Sequence, residues 1–148
     1  MVKIGFEILA IATIRQNFFA TMYTLINDNK PTGWNVFASY PEDEASFPCI
    51  ILNSGNIKPT ITGLDKDSYL IEDIKMKVEF YALAKSGDDM IEVGRDNVMN
   101  TILVNQATLD TYGLYLKEDP FDDSDVDTFI SGKEKIRTAG SIISLGMK

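Results

Sequence analysis

The 148-residue sequence contains no histidine. That removes the usual near-neutral general base, and with it the histidine-based triads and most zinc sites. It contains one cysteine, Cys49, so no internal disulfide forms and no stapled, secreted framework is indicated. Positive charge is scarce: 14 Lys and Arg stand against 22 Asp and Glu, for a formal charge of −8. Phosphate backbones and anionic bilayers are gripped by clustered lysine and arginine, so neither specific nucleic-acid binding nor membrane docking is expected. No apolar run reaches the ~18 residues that a membrane span needs. The one leader-like stretch, Ile4 to Ile14 after Lys3, carries Glu7 inside it, which leaves its apolar part shorter than the ~7–15 residues required. The expectation is an intracellular protein when made.

What is present is ordinary globular composition, 45% hydrophobic and 24% charged. Disorder, collagen-like repeats and coiled coil are thereby disfavoured. Length points to a single domain over residues 1–148, and a chain of this size buries roughly 70% of its unfolded surface.

Apolar residues at three- and four-residue steps (Ile11, Ile14, Phe18, Met22, Leu25, Ile26) predict a helix over Phe6–Asn27, stopped by Pro31. Phe19 and Tyr23 widen its apolar face beyond what one sheet face needs, so Phe18, Phe19 and Tyr23 are interface candidates. Trp34–Ala38 is a short strand. A polar loop, Tyr40–Ser46, leads to a buried strand at Phe47–Leu52, where Pro48 fits only at the start. Gly55, Pro59 and Gly63 mark a long connection up to Ser68, either a protruding hairpin or a mobile loop.

The clearest strand is Tyr69–Ala84. Ile74, Met76, Val78, Phe80 and Ala82 share one face, and Asp73, Lys75, Lys77, Glu79 and Tyr81 the other. Ser86 is placed to cap a second helix, Asp88–Leu103, with Asp88 and Asp89 at its positive end. Gly94 on its apolar side suggests close packing, since a helical glycine costs ~1 kcal/mol against alanine. A strand at Leu114–Leu116, an acidic loop and a last strand, Glu134–Met147, complete the order. Both faces of that last strand carry apolar residues, so it is central or covered. The class is α+β: a mainly antiparallel sheet of four to five strands packed against two helices.

No motif carries an enzyme: there is no phosphate loop, nucleophile elbow or metalloprotease helix, so no catalytic residue and no cofactor is assigned. Cys49 sits in an apolar strand and reads as a small buried hydrophobe. The segment Glu118–Asp127 holds six acids in ten residues. Asp123, Asp125, Asp127, Ser131 and Glu134 match the ligand spacing of a calcium loop. Thr128 stands where that loop needs glycine, and the flanks do not read as paired helices. A solvated acidic loop is the plainer reading.

The order of elements resembles the tail terminator (tail completion) proteins of long-tailed bacteriophages. Two stretches carry the resemblance. One is the N-terminal amphipathic helix followed by Pro41 and Phe47-Pro48-Cys49-Ile50-Ile51-Leu52. The other is the alternating strand ending Val78-Glu79-Phe80-Tyr81-Ala82, which runs through Lys85-Ser86 into the second helix. The resemblance implies a structural, non-enzymatic virion protein, assembled in the host cytoplasm. It would form a homohexameric ring on the tail tube, with the major tail tube protein and a head-completion or connector protein as partners. A ring with heterologous contacts needs two different faces. The broad face of the first helix and an exposed strand edge are the candidates, and Asp122, Asp123, Asp125 and Asp127 are further interface candidates. Another neck or head-completion subunit, and a small calcium-binding protein using residues 123–134, are the alternatives.

Overall fold

In the computed structural model, which describes residues 2–39, 47–61, 69–87 and 89–147, the N-terminal stripe forms helix α1 (Val2–Asp28). It starts one turn before the expected Phe6. Pro31 lies just past its end, and the chain turns there, with Trp34 N–H donating to the Pro31 carbonyl at 3.1 Å. Strand β1 (Asn35–Phe37) follows, then β2 (Cys49–Ile61) and β3 (Tyr69–Leu83). After a single 3₁₀ turn come α2 (Met90–Val104) and a short third helix, α3 (Gln106–Thr111). Strands β4 (Leu114–Asp123), β5 (Asp127–Ser131) and β6 (Glu134–Met147) close the chain. The predicted polar loop Tyr40–Ser46 and the tip 62–68 lie outside the described residues.

The class is α+β, as expected, but among the described residues the sheet has six strands and there are three helices. The strand order is β1-β2-β3-β6-β4, with β5 also paired to β6. Every pairing is antiparallel except β1 with β2. The extra strand has a simple origin. β3 occupies one edge of β6, so β4 and β5 share the other: β4 pairs with the stretch Ser141–Met147 and β5 with Glu134–Thr138. In space the sheet is therefore five strands wide. β6 is central, as its two apolar faces implied.

Of the two forms expected for the connection Asn53–Ser68 the hairpin is the one present, because β2 runs on to Ile61 and pairs antiparallel with β3 from Tyr69, and two other expectations are corrected. Gly55 and Pro59 are accommodated because register shifts fall at Ser54/Ile57 and Lys58/Pro59, beyond the short span that β1 covers. The acidic segment is not a loop: most of it belongs to β4, with residues 124–126 joining β4 to β5. Ser86 does not cap α2. It ends the 3₁₀ turn, Gly87 breaks the run at φ +117°, and Asp89 is the N-cap residue without a side-chain cap bond.

All three helices contribute to one apolar core on a single face of the sheet. Phe18, Met22 and Ile26 of α1, Ile91, Val98 and Ile102 of α2, and Leu109 of α3 meet Ile74, Met76, Val78, Phe80 and Ala82 of β3. The phase of the best strand is thus as its alternation requires. A smaller cluster (Phe47, Cys49, Ile51 and Ile136) seals one end of the opposite face.

Gly94 is buried, as a close-packing glycine should be, but what approaches it is the indole of Trp34 rather than the sheet itself. A Cβ on Gly94 would collide with three carbons of that ring. Trp34 is buried and cannot retreat. Gly94→Ala is therefore expected to lower the melting temperature by several degrees. The overpacking cost of ~1–3 kcal/mol outweighs the ~1 kcal/mol helix-propensity gain. Gly146→Ala meets Tyr115 just as closely, yet Tyr115 is exposed and can swing away, so that variant should melt near wild type. Calorimetry of the pair checks the distinction.

Candidate functional site

The face of the sheet turned away from the helices holds a concavity of about 490 Å³. Period-two alternation along β6 places Thr138, Gly140 and Ile142 on its floor. Lys77, Glu79 and Tyr81 of β3 form one wall. The opposite wall is Asp122, Asp123, Asp125 and Asp127 around the β4–β5 junction. Four aspartates predicted to lie in one loop are thus brought to one sheet edge by ladder pairing with β6.

The junction is held in place from both sides of the sheet. Ser124 N–H donates to the Gly140 carbonyl at 2.8 Å, and Gly140 N–H donates to Ser124 Oγ at 2.8 Å. From the helix side, the buried Arg95 guanidinium of α2 donates from Nη2 to the Ser124 carbonyl at 2.7 Å. Arg95 Nη1 also lies 3.6 Å from Glu92. Ser141 donates to Asp123 Oδ1. Arg95, Ser124 and Gly140 are the positioning residues that sequence reasoning missed. Ser124 and Gly140 are sixteen positions apart, and no local pattern links them.

The concavity is strongly acidic. Four carboxylates, those of Asp122, Asp125, Asp127 and Glu79, line it against Lys77, whose ammonium already lies 3.7 Å from Glu79; the Asp123 carboxylate turns to the other face, where its cross-strand partner Ser141 holds it. Glu79 is further engaged by the Tyr81 hydroxyl and by Asn53 Nδ2 at 3.2 Å. Asp122, Asp125 and Asp127 are exposed, so water and salt keep their mutual repulsion modest.

The other interface candidates divide. Phe18 is 2% exposed and packs in the core, so it is not available for docking; its place on the stripe is a core position. Phe19 and Tyr23 are half-buried, stacked at 6.1 Å between centroids, with the Tyr23 hydroxyl donating to the Val36 carbonyl at 3.0 Å. They remain partly accessible on the flank of α1.

The described geometry does not gather the residues of the calcium-loop spacing. Asp127–Ser131 is an extended strand, rising ~3.3 Å per residue, so its oxygens cannot converge on one cation. Ser131 and Glu134 instead face each other across a two-residue turn, with Gly132 at φ +63°. The Glu134 carboxylate lies 3.4 Å from Lys85. Among the described residues no group of three or more Cys, Asp or Glu is placed to hold a metal.

Cys49 is fully buried in β2, and burial pushes its thiol up to about 12. The folded protein should therefore resist thiol reagents at pH 8 and react only once denatured, a comparison that a colorimetric thiol assay makes directly. The sign of the linkage is fixed. An unfolded chain loses this proton near the ordinary value of 9.0, the folded one only near 12, so the stability from a buried neutral thiol is complete below pH 9 and lost between 9 and 12.

No family model and no curated protein matches the chain. No described helix is long and apolar enough to cross a membrane. The fold and the site together define an acidic α+β chain that leaves the middle of one sheet face and one sheet edge uncovered among its described residues.

Proposed function

We propose that this chain is a structural, non-enzymatic virion subunit of the tail-terminator kind. In that role it forms a ring, a hexamer by the family resemblance, at the end of the tail tube. There it stops tube growth and meets a head-completion or connector protein. The observation that carries the reading is the acidic wall of the open sheet face, Asp122, Asp125, Asp127 and Glu79 against Lys77. DNA passing through a tube is repelled by such a wall rather than trapped, because like charge opposes phosphate binding. The buried, protonated Cys49 and the absence of histidine offer no activated nucleophile, which fits a scaffold better than a catalyst.

The test is partition. Incubated with purified tail tubes and with DNA-filled heads, the protein should co-sediment with the tubes. Co-sedimentation with heads alone would move it to another neck position, and failure with both would remove the virion reading.

A further inference from the structure

We infer that strand β5 is a self-docking edge, which pairs antiparallel with β5 of a second copy of this chain about a two-fold axis. Among the described residues nothing pairs with the outer edge of β5. Its neighbour β4 carries Pro120 inside an irregularity where Lys117–Pro120 oppose Ser144 alone, a common device against edge-to-edge pairing. β5 pairs with β6 in unbroken register and contains no proline, lysine or bulge. It also presents large apolar side chains, with Phe129 at 37% and Ile130 at 71% exposure. The two-residue turn makes Ser131 and Glu134 a hydrogen-bonded pair. Alternation along the ladder then directs the backbone N–H and C=O groups of Thr128 and Ile130 outward.

Those outward groups fit a second copy. Centred on Phe129, antiparallel pairing sets Thr128 opposite Ile130 of the other copy, so both outward residues exchange their backbone bonds. Phe129 meets its counterpart beside Tyr81, which already holds it edge-on at 6.3 Å. Asp127 falls opposite Ser131, so no like charges face each other. Charge selects the same arrangement. The hairpin tip bears exposed Lys133 and Lys135, and its root bears exposed Asp125 and Asp127. The ion pairs among the described residues leave all four unmatched. An edge that is basic at one end and acidic at the other is complementary to itself only when antiparallel. Continuing the register past the strand sets Lys133 against Asp125 of the partner copy.

A five-residue contact lies below the ~1,200 Å² of standard interfaces, so the dimer is weak and concentration-dependent. This inference stands apart from the virion reading and gives a two-fold contact, not a ring contact. Sedimentation equilibrium of the full chain from ~10 to ~500 µM at low salt should show a dimer that declines on dilution and in ~0.5 M salt. Lys133→Asp or Asp125→Lys alone should weaken it at least tenfold, with melting temperatures unchanged because both side chains are exposed. The double variant Lys133→Asp/Asp125→Lys should restore it. A wild-type monomer throughout, or an oligomer that ignores the single variants, overturns the inference. Failure to bind tubes leaves it untouched.

Discussion

Val78→Asp is expected to leave the chain unfolded at 25 °C. Val78 is fully buried at the centre of β3, with Leu52 of β2 and Ser141 of β6 as its cross-strand partners. A carboxylate there faces the helix-side core of apolar side chains. Burying an unpaired ionised group costs several kcal/mol or forces it to stay protonated, and total domain stability is only ~5–15 kcal/mol. Lys77→Asp is the control. Lys77 is one residue away on the opposite face, exposed, with an ion pair to Glu79 at 3.7 Å. Losing an exposed pair and adding a like charge costs ~1 kcal/mol or less. Circular dichroism melts separate the two. Equal melting temperatures would mean that the faces of β3 are assigned the wrong way round.

The second large effect concerns charge rather than packing. Replacing Asp122, Asp123, Asp125 and Asp127 together by asparagine should leave the fold intact while changing the salt dependence of the proposed tube or connector binding. All four are exposed, and at Asp123 the substituting amide keeps an oxygen that accepts from the Ser141 hydroxyl. The net charge falls in magnitude from −8 by four units. Exposed charges act through screened long-range fields, so their removal flattens the response of affinity to ionic strength and slows association. Titrations against the tube or connector partner at several salt concentrations read this slope. A calcium-induced rise in melting temperature of many degrees, lost in the asparagine variant, would contradict the electrostatic role and restore a cation site despite the extended geometry of β5.

Where local pattern coincides with tertiary placement, the chain could be read directly. β3 alternates because one face meets the helices and the other does not, so Ile74 to Ala82 announced both the strand and its phase. The α1 stripe was equally plain, and Phe18 belonged to its core side. The unreadable parts are those decided by distant partners. β2 contains Gly55 and Pro59, which punctuate a loop by every local rule. They sit in a strand because that stretch lies beyond the edge β1 covers and is broken by register shifts. The acids of β4 and β5 have low strand propensity, and only pairing with β6 extends them. The same pairing removed the calcium spacing: residues at loop-ligand positions become alternate positions on a straight edge. The site's anchor, Ser124 against Gly140 with Arg95 behind it, joins three elements and has no signature in any one of them.

The most direct test of the proposed role is the appearance of tail tubes in negative stain before and after addition of the protein. The proposed role requires a ring-shaped cap at one end only, six-fold in end-on averages, with tubes that no longer lengthen when further tube subunits are supplied. Tubes that stay bare and continue to grow at saturating protein would contradict it.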